Sequence, residues 1–115
     1  MPNPPASVSY LKKLVSTARA IVTYQVGLPV GCIRMRGTLS TLRPHMKLSY
    51  PVFEEYLQAV TGLPLSSERL RWSRDVLRER DVKLEAESRR FRDAIFEACY
   101  QIIDSHGDHS DENAA

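Results

Sequence analysis

Apolar residues fall at Leu11, Leu14, Val15, Ala18, Ile21, Val22 and Val26, three and four apart, the spacing that turns one face of a helix toward a core. Lys12, Lys13 and Arg19 lie off this stripe and are expected in water. Gly27 is expected to take the left-handed conformation that closes a helix, with Leu28 packing back on the last turn. The preceding residues 1–7, MPNPPAS, are Pro-rich and predict a flexible lead-in.

Beyond Pro29, which suits the first turn of a helix, Cys32, Met35, Leu39 and Leu42 share a face. Gly31 and Gly37 weaken that helix by about 1 kcal/mol each relative to Ala. A short strand over Cys32 to Arg36 competes with it, because Ile33 and Met35 alternate with Arg34 and Arg36. Pro44 stops either element. Ser49 can cap a third helix with Pro51 in its first turn and Phe53, Tyr56, Leu57 and Val60 as its stripe. Gly62 closes it.

Ser73 offers the next cap, and Asp75 sets an anion in the first turn, favourable against the helix dipole. No Gly or Pro then occurs before Gly107, which predicts one helix of about 30 residues, roughly 45 Å long. Leu77, Leu84, Phe91, Ile95, Ala98 and Ile102 form its stripe, widened near the C-terminus by Phe96, Cys99 and Ile103. Glu79 with Lys83 and Glu85 with Arg89 form i,i+4 pairs that each add a few tenths of a kcal/mol. Residues 106–115, HGDHSDENAA, read as a disordered acidic tail. The pattern predicts an all-α fold: a compact bundle of about four helices with a long C-terminal helix, one domain over residues 8–105.

At 115 residues a chain can bury roughly two thirds of its unfolded surface in one core. All 16 Lys and Arg lie between Lys12 and Arg92, and four of the 14 acids, Asp104, Asp108, Asp111 and Glu112, sit in the last dozen residues. The body is therefore basic, +6 over residues 1–103, and the end is acidic. Cys32 and Cys99 stand among apolar neighbours, as reduced thiols packed like small hydrophobes rather than as a disulfide scaffold. No secretory signal pattern and no apolar run long enough for a membrane span occur. A cytoplasmic protein that does not enter the membrane is expected.

The segments GLPVGCIRMR, residues 27–36, and GLPLSSERLR, residues 62–71, share Gly-Leu-Pro and align Arg34 with Arg69 and Arg36 with Arg71. The offset is near that of helical repeats, but no known repeat signature accompanies it, and two copies are too few for a solenoid. The shared triplet is punctuation. The arginines are the remainder: Arg34, Arg36, Arg43, Arg69, Arg71 and Arg74 flank helix ends, where guanidinium groups can hold an anion or a partner's carboxylates. The plainer reading pairs some of them with Glu68, Asp75, Asp81 or Glu85 and leaves the rest solvated.

Asp81 and Ser88 fall on the apolar stripe of the long helix. A carboxylate there needs a partner, and an arginine of the second helix or of the loop from Ser66 to Trp72 is expected to supply it. The alternative is a polar pocket in which Asp81 and those arginines bind a ligand. Trp72, the sole tryptophan, is expected at the edge of the core, although tryptophan is also common at binding hot spots.

Two histidines, His106 and His109, resemble a metal cluster with Asp108 and Asp111 only by composition, and His45 stands alone. Neither a metal nor a cofactor is expected, and the chain carries no paired acid, base and nucleophile for catalysis. The basic residues Arg69, Arg71, Arg74, Arg78 and Arg80, with Arg89, Arg90 and Arg92, suggest a nucleic-acid ridge. On a helix, however, Arg78, Arg80, Arg89 and Arg90 spread around the axis among Glu79, Glu85 and Glu87, the pattern of a solvated face.

Taken together, Ala20-Ile21-Val22, Gly31-Cys32 with Arg34, Leu42-Arg43, Leu63-Pro64, Arg69, Trp72, Leu77, Asp81, Arg92-Asp93 and Ala98-Cys99 resemble a family of small bacterial helical proteins of unknown function. The likeness covers about residues 18–100, and no element of it falls between His45 and Val60. It implies a compact helical domain, implies no activity, and groups Arg34, Arg43, Arg69, Trp72 and Asp81 as one cluster.

The sequence therefore points to a non-catalytic protein-binding module, monomer or homodimer, of the kind an immunity or antitoxin-like inhibitor of a bacterial toxin requires. Its basic body suits an acidic or neutral partner surface and not a basic nuclease. The alternatives are a nucleic-acid-associated regulator using Arg69 to Arg80, and a sensor of a small anion built from Arg34, Arg43 and Arg69 around Asp81.

Overall fold

The computed structural model describes residues 4–63, 65 and 67–112. Its elements are α1 (Pro4–Val22), α2 (Leu28–Leu42), α3 (Pro51–Ala59), a 3-10 turn (Ser67–Arg71) and α4 (Arg74–Glu112). No strand occurs among the described residues, so Cys32 to Arg36 are helical. Each helix packs on its neighbour in the chain, and α1 packs on α4 to close the bundle.

Leu11, Leu14, Val15, Ala18 and Ile21 of α1 meet Cys32, Met35 and Leu42 of α2, Phe53, Tyr56, Leu57 and Val60 of α3, and Ile95, Ala98, Cys99 and Ile102 of α4 in one buried core. On α4 the fully buried positions begin at Ile95. The first turns of this 39-residue helix are exposed along most of their surface. The molecule is accordingly elongated, 54 × 27 × 24 Å.

The helix ends correct the sequence expectation at several places. The end of α1 is not made by Gly27. Tyr24 takes the left-handed conformation, φ 62°, while the Tyr24 N–H donates to the Ile21 carbonyl at 3.2 Å and the Gln25 N–H to the Ala20 carbonyl at 2.9 Å. These are the two bonds of a Schellman closure. Gly27, in extended conformation, is instead the N-cap of α2, and Pro29 lies in the first turn as expected. At α3 the N-cap is Tyr50 rather than Ser49, whereas Gly62, φ 88°, follows the helix as its sequence position predicts.

Helix α1 also begins at Pro4, within the expected lead-in, and α4 continues to Glu112, through most of the expected tail. Residues 1–3 and 113–115 lie outside the described residues. Gly107 does not stop α4 because it stays helical and buried, with an Arg19 guanidinium nitrogen 3.4 Å from where its Cβ would stand. Gly31 has a different cause. A Cβ there would lie 2.6 Å from Ile21 Cγ1, so the missing side chain is what lets α2 approach α1. Ser73 caps α4 as expected, its carbonyl accepting from the Leu77 N–H at 3.0 Å and its hydroxyl from the Val76 N–H at 3.4 Å.

Candidate functional site

An ion pair fastens the 3-10 turn to α4. Arg69 Nη1 donates to Asp81 Oδ1 at 2.6 Å and Nη2 to Oδ2 at 2.8 Å, the planar fork-to-carboxylate geometry that fixes direction as well as distance. The hydrogen bonds from Arg69 hold the Asp81 carboxyl below its ordinary range, with the guanidinium charge adding to the effect and partial desolvation opposing it. Both side chains are partly exposed, so the pair orients the turn more than it stabilises the fold.

That orientation places Leu70 in solvent, 90% exposed. Trp72 follows it, half-buried, with the Arg80 guanidinium carbon 5.9 Å from the ring centroid. The tryptophan thus lies half-buried under an arginine, outside the fully buried core. Arg71, Arg74 and Arg78 are exposed around it, and Val82, one residue past Asp81, is 70% exposed. This end of the molecule combines uncovered apolar surface with cations.

The other arginines go elsewhere. Arg34 lines a groove between α1 and α2 with Lys13 and Tyr10. Arg36 and Arg43 line a separate groove between α2 and the start of α3, where Arg36 stands 3.9 Å from Glu54. The five residues grouped by the family resemblance therefore occupy three places. Asp81 binds Arg69, as the plainer reading expected, and neither Arg34 nor Arg43 shares a groove with it. Glu68, Asp108, His109 and Asp111, named above as pairing or metal candidates, have side chains outside the described residues.

The basic ridge is interrupted. Arg89 bonds Glu85 at 2.7 Å and Arg90 bonds Glu87 at 3.1 Å, so their charges are locally matched. Ser88, the second polar residue on the α4 stripe, meets the Tyr56 hydroxyl at 2.7 Å. Burial raises the Tyr56 pKa, the Ser88 bond opposing it, with Cys32 and Glu87 adding smaller upward contributions. The Cys32 and Cys99 thiols are buried and free, and burial pushes each up to about 12, so neither is a ready nucleophile at neutral pH.

Among the described residues no cluster of three His, Cys, Asp or Glu could hold a metal ion, and no helix is long and apolar enough to cross a membrane. Neither models of known protein families, nor curated proteins, nor solved structures give a significant match to this chain. The likeness to small bacterial helical proteins rests on the short motifs alone. Sequence reasoning missed the α1–α2 groove, because Lys13 and Arg34 each lie off an apolar stripe and nothing in either helix alone shows that they face one opening.

Proposed function

We propose that the protein is a non-catalytic protein-binding module whose contact surface is the 3-10 turn and the first turns of α4. The observation that carries this reading is Leu70, 90% exposed in the turn that Arg69 ties to Asp81, two residues before Trp72, whose ring lies under Arg80. Tryptophan and arginine dominate the residues that carry binding energy at protein interfaces, and an exposed leucine beside them loses water-facing apolar area on association. Arg71, Arg74 and Arg78 around the patch favour an acidic or neutral partner surface. An immunity or antitoxin-like inhibitor acting in the cytoplasm is the finer form of this proposal, supported by a helical core and an exposed patch on it.

The test is affinity capture from the source cells with the wild-type chain and with Leu70→Asp. A near-stoichiometric protein partner held by the first and lost by the second is the expected result; with no such partner, the proposal fails. If nucleic acid is recovered instead, with affinity falling steeply as salt rises, the surface is an electrostatic one and the protein-binding reading is replaced.

A further inference from the structure

The groove between α1 and α2 has no part in that reading. It is an open surface groove of about 360 Å³, comparable in volume to small-molecule sites, and its walls are two packed helices rather than loops. Lys13 stands on the α1 wall and Arg34 on the α2 wall, and no acidic residue lines the groove. Neither cation forms an ion pair among the described residues, although Arg36, Arg69, Arg89 and Arg90 all have carboxylate partners. Lys13 rests instead over the Tyr10 ring, 5.3 Å from its centroid.

Gly37 also lines the opening. A glycine inside a helix costs about 1 kcal/mol relative to Ala, and at Gly31 the close approach of Ile21 accounts for it. At Gly37 nothing lies within 4 Å of the Cβ position, so packing gives no reason for the missing side chain. What its absence does is leave open space in a groove that both cations line. Thr17 and Thr38 add hydroxyls, and Tyr10 with the partly exposed Ile33 adds apolar surface.

We infer that this groove binds a small phosphomonoester with an aromatic or apolar body. A phosphomonoester carries close to two negative charges at neutral pH, which Lys13 and Arg34 together match, whereas a monocarboxylate leaves one cation uncompensated. Arg34 supplies a forked donor suited to phosphate oxygens, Lys13 a point charge, and the organic body lies along Tyr10 and Ile33.

Phenyl phosphate is the probe, titrated by calorimetry and by amide NMR shifts, with inorganic phosphate and phenol as comparisons. The expected result is saturable binding to a single site that shifts Gly37 and Thr38, tighter for phenyl phosphate than for either comparison. Arg34→Gln and Lys13→Gln each weaken it by at least about tenfold. Gly37→Leu abolishes it while the melting temperature holds or rises, because the side chain fills open space on a better helix former. The inference is overturned if phenyl phosphate leaves these amides unmoved, if phenol binds as well, if inorganic phosphate matches phenyl phosphate, or if binding survives in Arg34→Gln and Gly37→Leu.

Discussion

Two glycines of α2 look alike in sequence and act oppositely in the fold. Gly31→Ala drives a methyl group into Ile21 and Val26 and is expected to destabilise the protein by about 1–3 kcal/mol. Gly37→Ala meets only open space and is expected to stabilise it by up to about 1 kcal/mol. Urea unfolding of the two variants measures both. Tyr24 gives a third residue-scale outcome. Its left-handed backbone costs an L-residue roughly 1–2 kcal/mol, set against a ring contact with Phe96 at 5.6 Å. Tyr24→Gly and Tyr24→Ala both lose the ring, but only glycine relieves the backbone, so thermal unfolding should rank Gly above Ala by about 1 kcal/mol. The sequence did not disclose this turn, because Gly27 is the residue that propensity favours there. The Tyr24 ring meets Phe96 from a helix 72 positions away in the chain, a contact that no local pattern encodes.

At the scale of elements, the turn from Ser67 to Arg71 is tied to α4 through the Asp81 carboxylate. The folded-state pKa of Asp81 lies below its unfolded value, so the stabilising contribution is present above the unfolded value and is lost as pH falls through the folded one. Acidification below about pH 4 is therefore expected to loosen the turn before the core. Trp72 is the only tryptophan, and its fluorescence reads that step directly: the emission should change in the acid range in the wild type, while Asp81→Asn shows the altered emission already at neutral pH and no acid step.

The apolar stripe of α4 made the need for this pair legible, since Asp81 and Ser88 both interrupt it, and the partners proved to be Arg69 and Tyr56. Their identity was not legible, because it depends on how α3 and the 3-10 turn lie against α4. Helix positions were read well where apolar spacing and punctuation agree, as at Ser73. They were misread at Gly107, where burial beside Arg19 overrides the weak helix preference of glycine.

Across the whole molecule, Cys32 and Cys99 report on global opening. Both thiols are fully buried in the shared core and raised to about 12, so alkylation by iodoacetamide under native conditions requires the core to open. The two cysteines should react at the same rate, and a core variant such as Gly31→Ala should accelerate both equally. Separate rates would mean that α2 and α4 open independently. The arrangement of helices carries a kinetic consequence as well. Helix α1 meets α2, α2 meets α3, and α3 meets α4, pairings of segments consecutive in the chain, whereas the most extensive pairing, α1 with α4, joins its two ends. Local contacts form fast and such non-local ones slowly. The docking of α1 on α4 closes the longest loop, so the refolding rate should be governed by when these two ends of the chain find each other.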